Sequence, residues 1–552
     1  MSSNNFNHLD IWDAKAQLNK QNVPQEELAS TEKFSSVASE FARFKAMKTL
    51  RSKFARLTNQ HGQGISPPPL AFDRWLARSS LQRVLDNNSS IDSTTPDDIE
   101  IEIGSTIAHR EPVIPCYLKN MDTGGEQNVQ PEFIADLSRT YSKKTAMLIA
   151  EQITTSSLLA AEKHDAIFHS SSTASSSADN DVKQKIKAML KATKRSAKKV
   201  MESTTSTADQ WLELEQAAEA LRDYAALKAA MSTNCSADEM KVHKVMSKSG
   251  HVVLLSAYSL DGNEKKFVKP YMTINKQHYD KLVELHLRAT NSTQEEVDEK
   301  IFCILCRYEG IKGVGSQCAL PGAVFESLEK YLGNTIECFA SPLNCRFQNY
   351  YSAFPALEQH FGSLGSFFSS YSDIKYGSFE ANPPFVPEIM TFMEEAIHSL
   401  LEDKSKGPLS FLIIVPDWGG TNSTAEVCMN SKFNRASTCI SASQHVFADG
   451  AQHRVSERWR PSSWDTAVIL LQNDRGKSKW PMTADQLSEA ITSSFSRSKN
   501  TGGPEKNDED VYAWEARGIK KGGRQGKNIP IKRKSKNGHT DFKNTQVKKK
   551  KF

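Results

Sequence analysis

The tetrapeptide Asn382-Pro383-Pro384-Phe385 brings together the residue types in this chain best suited to chemistry. Adenine N6 and amines like it are poor nucleophiles, because the lone pair is delocalised into the ring. The Asn382 side-chain oxygen and the Pro383 carbonyl can accept both hydrogens of such an amine. That grip favours a pyramidal nitrogen and frees the lone pair for in-line attack on a sulfonium methyl. Phe385 offers a face on which the base stacks, worth about 1–3 kcal/mol. Proline rigidity holds both acceptors without an ordering cost on binding. Two prolines cannot continue a strand ladder, so the chain must leave a sheet here. The carboxyl edge of a sheet is where α/β folds place ligands. The plain alternative is a turn with an exposed Phe.

A second segment, Glu337-Cys-Phe-Ala-Ser-Pro-Leu-Asn344, precedes that motif. It has the acid-x-Phe-x-small shape of the first strand and turn in Rossmann-like folds that bind S-adenosyl-L-methionine. There the backbone of a tight turn approaches the cofactor's methionine part, so Phe339, Ala340, Ser341, Pro342 and Asn344 are candidate contacts. Ala340, Ser341 and Pro342 stand where glycines are usual. Cys303-x-x-Cys306 with Cys318 invites a zinc reading, but the cysteines sit in an apolar run with no second pair at finger spacing; buried thiols are expected and no metal. Gly310-Ile-Lys-Gly-Val-Gly315 lacks a P-loop ending. His445 and His453 read as structural histidines. Nothing matches His-Glu-x-x-His or Gly-x-Ser-x-Gly, so hydrolase chemistry has no support.

These residues need elements to hold them. Apolar runs, helical spacing and turn signals predict helices at 276–289, 295–308, 321–332 and 387–402, and strands at 335–340, 409–415 and 466–471. Near-continuous apolar strands separated by helices argue for buried parallel strands in an α/β layer. Val252–Tyr258 and Lys266–Met272 flank Asp261-Gly262, a hairpin signal. Upstream the chain reads as helical, around 131–163 and 182–231, with a polar tract after His169. An earlier basic helix carries Arg43, Lys45, Lys48, Arg51, Lys53 and Arg56, which suit either phosphates or solvent. The expected organisation is a polar and basic segment over 1–65, a mainly helical domain over 66–250, an α/β domain over 251–495, and a disordered linker with a basic tail over 496–552.

Length allows two or three domains, and 38% hydrophobic residues exclude a wholly disordered chain. No membrane span and no secretion signal are expected. From Lys520 to Phe552 thirteen Lys or Arg face one acid, a surplus of twelve in a chain of net charge +5, which leaves the remainder at −7. A basic tail on a mildly acidic body is the layout of a nucleic-acid-facing or nuclear-import tail, and a nuclear protein is expected.

Glu337 through Cys345, Ser352-Ala-Phe-Pro355, Phe361-Gly-Ser363, Gly377 through Phe385, Pro408-Leu-Ser-Phe411, Pro416-Asp-Trp418 and Leu471-Gln-Asn-Asp474 together resemble one family. It is the phosphorylated CTD-interacting factor family, a cap-specific adenosine N6-methyltransferase of mRNA. The resemblance is dense over roughly 300–480 and weaker over 66–300. It implies a Rossmann-like methyltransferase domain packed on a helical domain. It also implies methyl transfer from S-adenosyl-L-methionine to N6 of the 2′-O-methyladenosine beside a 7-methylguanosine cap. By that likeness Asn382, Pro383, Pro384 and Phe385 form the cofactor and target-base site. Pro416, Asp417 and Trp418 form part of the cap pocket, where a Trp face beside a carboxylate suits a cationic methylated guanine. Arg74, Arg78 and Arg110 of the expected helical domain are candidates to reach the cap triphosphate, since Arg matches phosphate geometry.

Two departures stand out. Where the family often has an acid two positions after the motif's Phe, this chain has Pro387, with Glu388 next; either cap recognition is altered or Glu388 takes that acid's part in the cap site. Animal members also read the phosphorylated RNA polymerase II C-terminal domain through a WW module. Here Trp12 is followed by no Trp until Trp75, so that paired spacing is missing. Two other readings fit the same residues: a catalytically silent RNA- or polymerase-binding nuclear protein, and an adenine-N6 methyltransferase with a different RNA target.

Overall fold

The computed structural model describes residues 36–168 and 240–500, apart from 63–64, 69, 80–129, 262–263, 291–293, 313–316, 334, 421–422 and 455–458. The expected helix over 182–231, the polar tract after His169, Arg110 and the basic tail lie outside the described residues.

Ser36 caps the first helix, α1 (Val37–His61), by accepting from the Ser39 N–H. α2 (Pro131–Ser138) starts on a proline, and α3 (Lys143–Phe168) follows it. Phe54 of α1, Phe133 of α2, Ile149 and Ile153 of α3, and Trp75 from the helical residues 71–79 form one apolar cluster. Half of the basic residues of α1 are drawn into packing. Arg43 lies 2.6 Å from the buried Glu40, and Lys53 donates to Ser156 at 2.6 Å. Arg51 pairs with Asp73. These three fall at seams between packed elements, where a cation must find a partner, whereas Lys48 and Arg56 are exposed.

An antiparallel sheet then forms around β2 (Val252–Asp261), with β1 (Lys241–Met246), β3 (Glu264–Phe267) and β4 (Met272–Asn275) paired to it. The expected hairpin is present as β2–β3. Val253, Leu255 and Ala257 of β2 are fully buried, in one cluster with Phe41 of α1 and with Leu282 of α4 (Lys276–Ala289). Ile301 and Ile304 of α5 (Gln294–Ile311) complete that core.

The six-stranded mixed sheet has the order β6-β5-β7-β8-β12-β9. Its strands are β5 (Ile336–Ala340), β6 (Tyr350–Ser352), β7 (Gly377–Ala381), β8 (Leu409–Pro416), β9 (Asn434–Ile440) and β12 (Thr466–Gln472). A separate pair, β10 (Val446–Ala448) and β11 (Trp459–Pro461), lies between β9 and β12 in sequence. One face packs Phe379, Phe411, Ile413 and Ile469 against α7 (Pro387–Glu402). The other packs Leu412, Ile414, Val468 and Leu470 against α6 (Gly322–Leu332) and α8 (Ala484–Asn500).

β6, β5, β7 and β8 are parallel, the direction expected for the apolar run at 409–415; β6 was not expected from the sequence. β12 is antiparallel to both β8 and β9, which corrects the parallel direction expected for 466–471. A strand covered on both faces reads as a continuous apolar run whichever way it points. Burial is visible in the sequence and direction is not. From β5 the chain steps to β6 on one side and then returns to β7 on the other. The carboxyl ends of β5 and β7 therefore flank a topological switch point, where open α/β sheets leave a ligand crevice.

Candidate active site

Both segments singled out for chemistry sit at this switch point. β7 is buried throughout and ends at Ala381. Asn382 follows, half-buried, and its Nδ2 donates to the Cys318 carbonyl at 3.2 Å. The donor half of that amide is therefore taken up by the protein, and the acceptor half is what remains for a ligand. Among the described residues nothing donates to Asn382 Oδ1 or to the Pro383 carbonyl. Pro384 accepts from the Val386 N–H at 2.7 Å, and Pro387 then opens α7. Phe385 is half-buried against both sheet-face clusters, its ring edge-on to Phe447 at 6.4 Å. That fixes the plane a base would stack on.

The turn after β5 closes on itself. The Ser341 N–H and hydroxyl both meet Asn344 Oδ1, at 2.7 and 2.8 Å, and Asn344 Nδ2 donates to the Gln317 carbonyl at 3.0 Å. Successive carbonyls of Gln317 and Cys318 thus tie down the turn after β5 and the motif after β7. Phe339 is half-buried against Phe367 and Phe368, and Ala340 and Ser341 are buried. The Ser341 N–H, expected to face the cofactor, is already paired, because the turn satisfies it with Asn344 in place of a glycine-rich approach.

Two buried acids lie under the crevice. Glu337 of β5 and Glu380 of β7 are register partners. Glu337 Oε2 accepts from the Arg346 and Phe347 amides at 2.7 and 3.3 Å. Burial still pushes its carboxyl up to about 7, against the pull of those amides, Lys281 and Arg346. Lys281, also buried, donates to the Cys345 carbonyl at 2.9 Å. Glu380 is 4% exposed, and its carboxyl makes no hydrogen bond among the described residues. Burial, then the Glu337 charge, raises its carboxyl well above the usual range. An unpartnered buried carboxyl two residues from Asn382 is the kind of group a ligand rich in hydrogen-bond donors would satisfy. Sequence reading missed it because a single acid inside an apolar strand carries no local signal.

The Pro416-Asp417-Trp418 block ends β8, next to β7 on the same sheet edge. The Asp417 N–H donates to the Asp465 carbonyl at 2.8 Å, and Asp417 Oδ1 accepts from Gly419. Trp418 is half-buried with its indole N–H unpartnered, and Trp464 stands edge-on to it at 6.3 Å, 51% exposed. Trp464 was not singled out from the sequence; it reaches the block only because β12 starts beside the end of β8.

The arginines differ from expectation. Arg78 is 8% exposed, held by Asp136 at 2.6 Å and by Glu388 at 2.9 Å. Arg74 lies 3.6 Å from the same Asp136. A guanidinium shared between two carboxylates is not presented to a triphosphate. Arg78 instead joins the helical residues 71–79 to the first turn of α7, and Glu388 is spent on that link. His445 is buried between the Ser441 carbonyl and Thr466 Oγ1, as structural histidines are. Cys303 and Cys306 are buried free thiols of α5. Among the described residues no group of three His, Cys, Asp or Glu could hold a metal ion, and no helix is long and apolar enough to cross a membrane.

Comparison with known proteins supports the resemblance. Residues 278–450 match the family model described as phosphorylated CTD interacting factor 1 WW domain. The matched stretch runs from α4 to β10, so the region carrying that name here is α/β structure. The chain is 37% identical over 227 residues to a human mRNA (2′-O-methyladenosine-N(6)-)-methyltransferase, covering 39% of this chain and 32% of the relative. To the mouse protein of the same name it is 36% identical over 241 residues, covering 42% and 34%. The chain thus spans about a third of the length of the curated relatives it matches.

Proposed function

On the premise that residues 278–450 belong to the phosphorylated CTD-interacting factor family, we propose that this chain methylates mRNA at the cap. The acceptor is N6 of the 2′-O-methyladenosine next to the 7-methylguanosine. S-adenosyl-L-methionine, when bound, supplies the methyl group. The six-stranded sheet is read as Rossmann-like, which its parallel half and the switch point between β5 and β7 support.

The observation that carries this reading is the anchoring of Asn382. Because Cys318 holds the amide nitrogen, Oδ1 is fixed as an acceptor beside the Pro383 carbonyl. Two acceptors meet the two N6 hydrogens, and both are in place before the base arrives. Phe385 stacks the base in that grip. The Phe339–Asn344 turn and Glu380 suit the cofactor's chemistry, since the unpartnered Glu380 carboxyl, two residues before Asn382, can exchange hydrogen bonds with its ammonium and hydroxyl groups. Trp418 and Trp464 offer aromatic faces for a methylated guanine, with Asp417 beside them.

The test is methyl transfer from labelled S-adenosyl-L-methionine to capped and uncapped A-starting RNA. Labelling of capped RNA, reduced about 10²–10³-fold by Asn382→Ala, is the expected result. Equal labelling of uncapped RNA would remove the cap assignment. No labelling of either would leave a binding protein that has kept the fold.

A further inference from the structure

The outer face of the β1–β2–β3 sheet has no task in the site described above. Lys241, Tyr258 and Phe267 form one cross-strand row. The Phe267 ring lies 5.6 Å from Tyr258 and 5.7 Å from His243, and Lys265 Nζ sits 4.5 Å over the Tyr258 ring. Phe267 is 42% exposed and β3 is exposed along its whole length. Three touching rings in water, framed by lysines, are costly to maintain unless something covers them.

We propose that this face is a stacking platform for single-stranded RNA, holding the transcript beyond the nucleotide that is methylated. The proposal extends the methyltransferase reading, but the binding itself does not depend on it. Charge complementarity selects the occupant. Residues 240–275 contain six lysines and two acids, Asp261 and Glu264. Lys248, Lys265, Lys266 and Lys269 are exposed and make no ion pair among the described residues. Phosphates satisfy the lysines and bases satisfy the rings, whereas an acidic peptide would use only the former. The face is also coupled to the site through the chain. At the end of β4 the Asn275 N–H and Nδ2 donate to the His453 and Gln452 carbonyls, at 2.7 and 2.9 Å. In the same loop Gly450 lies so close to Gln317 that an added Cβ would come within 2.8 Å of its side chain. The next residue, Cys318, holds Asn382.

Fluorescence anisotropy with the full chain and an uncapped, labelled oligouridine of about 20 nucleotides tests this, because stacking platforms tolerate any base. Tyr258→Ala with Phe267→Ala should weaken binding about tenfold or more, and Phe267→Tyr should preserve it. Lys265→Ala should lower the slope of log affinity against log salt by about one. In methyl transfer, the double variant should raise KM for a long capped RNA, leaving kcat and the KM of a capped tetranucleotide unchanged. The idea is overturned if folded variants, judged by an unaltered melting temperature, bind oligouridine as the parent does. It is equally overturned if the double variant loses a phosphoserine peptide instead. Oligouridine contains no methyl acceptor, so loss of its binding would uphold the platform even if capped RNA were never labelled.

Discussion

Glu337 faces Glu380 across the ladder, with Lys281 and Arg346 pulling on its charge, and burial raises its carboxyl to about 7. Unfolding returns it to the ordinary range near 4.5, so the native state holds the proton more tightly. The stabilisation this gives is full below the unfolded value and is lost as pH rises through about 7. Glu380, raised in the same direction, adds to the same slope. Glu337→Gln keeps an oxygen for the Arg346 and Phe347 amides and removes one titration. Thermal melting should show the parent losing stability between pH 5 and pH 8 and the variant losing less, by at most about 3 kcal/mol. Parallel declines would assign the slope to other groups. Glu380→Gln should instead weaken S-adenosyl-L-methionine binding about tenfold by calorimetry, with oligouridine affinity unchanged. Unaltered cofactor affinity would take Glu380 out of the site. At this scale the sequence exposed residues whose type is unusual in place, such as paired prolines at a strand end. It hid the Cys318 carbonyl, since any residue supplies one, and Trp464, whose relevance depends on a neighbour distant in the chain.

Helices α4 and α7 begin and end where the sequence places them, because each has a capping or proline start and a clean apolar stripe: Asn275 caps α4 and Pro387 opens α7. Strands β5, β7 and β8 were readable from burial or from the motifs at their ends. β9, Asn-Arg-Ala-Ser-Thr-Cys-Ile, is the sheet's edge strand and largely polar, so nothing marked it. The link between helical and catalytic elements was also hidden, since Arg78 and Glu388 are 310 residues apart. Arg78→Met leaves the buried Asp136 with Arg74 at 3.6 Å and the exposed Arg139 at 3.5 Å as weaker partners. A cost of about 3–5 kcal/mol in denaturant unfolding is expected, as for a buried pair broken from one side. Glu388→Gln, on the more exposed partner, should cost about 1 kcal/mol or less while lowering methyl transfer by loosening the first turn of α7. If Glu388→Gln costs stability and spares turnover, the link serves only to hold the fold together.

Over the whole molecule, charge is divided between an acidic body and a basic end, and the two are expected to contribute separably to RNA affinity. On the proposal above, the sheet face and crevice would hold RNA chiefly by stacking and shape, with only a few lysine–phosphate contacts contributing to the salt slope. Residues 520–552 add thirteen cations and few aromatic rings, Phe542, Phe552 and the imidazole of His539 being widely outnumbered by the cations. Their contribution must therefore come from counterion release, which falls steeply as salt rises. Removing 520–552 should weaken binding of a long RNA at about 50 mM salt by tenfold or more, and by much less at about 300 mM. The slope of log affinity against log salt should become shallower in proportion to the phosphates no longer met. Turnover of a capped tetranucleotide should not change, because the proposed cap, base and cofactor contacts lie between Phe339 and Trp464. The same deletion should shift a fluorescently tagged chain from nucleus to cytoplasm if Lys532–Lys534 and Lys548–Lys551 direct import. An unchanged salt slope together with unchanged location would remove both tasks from the tail. It would leave the sheet face and the crevice as the source of the chain's RNA affinity.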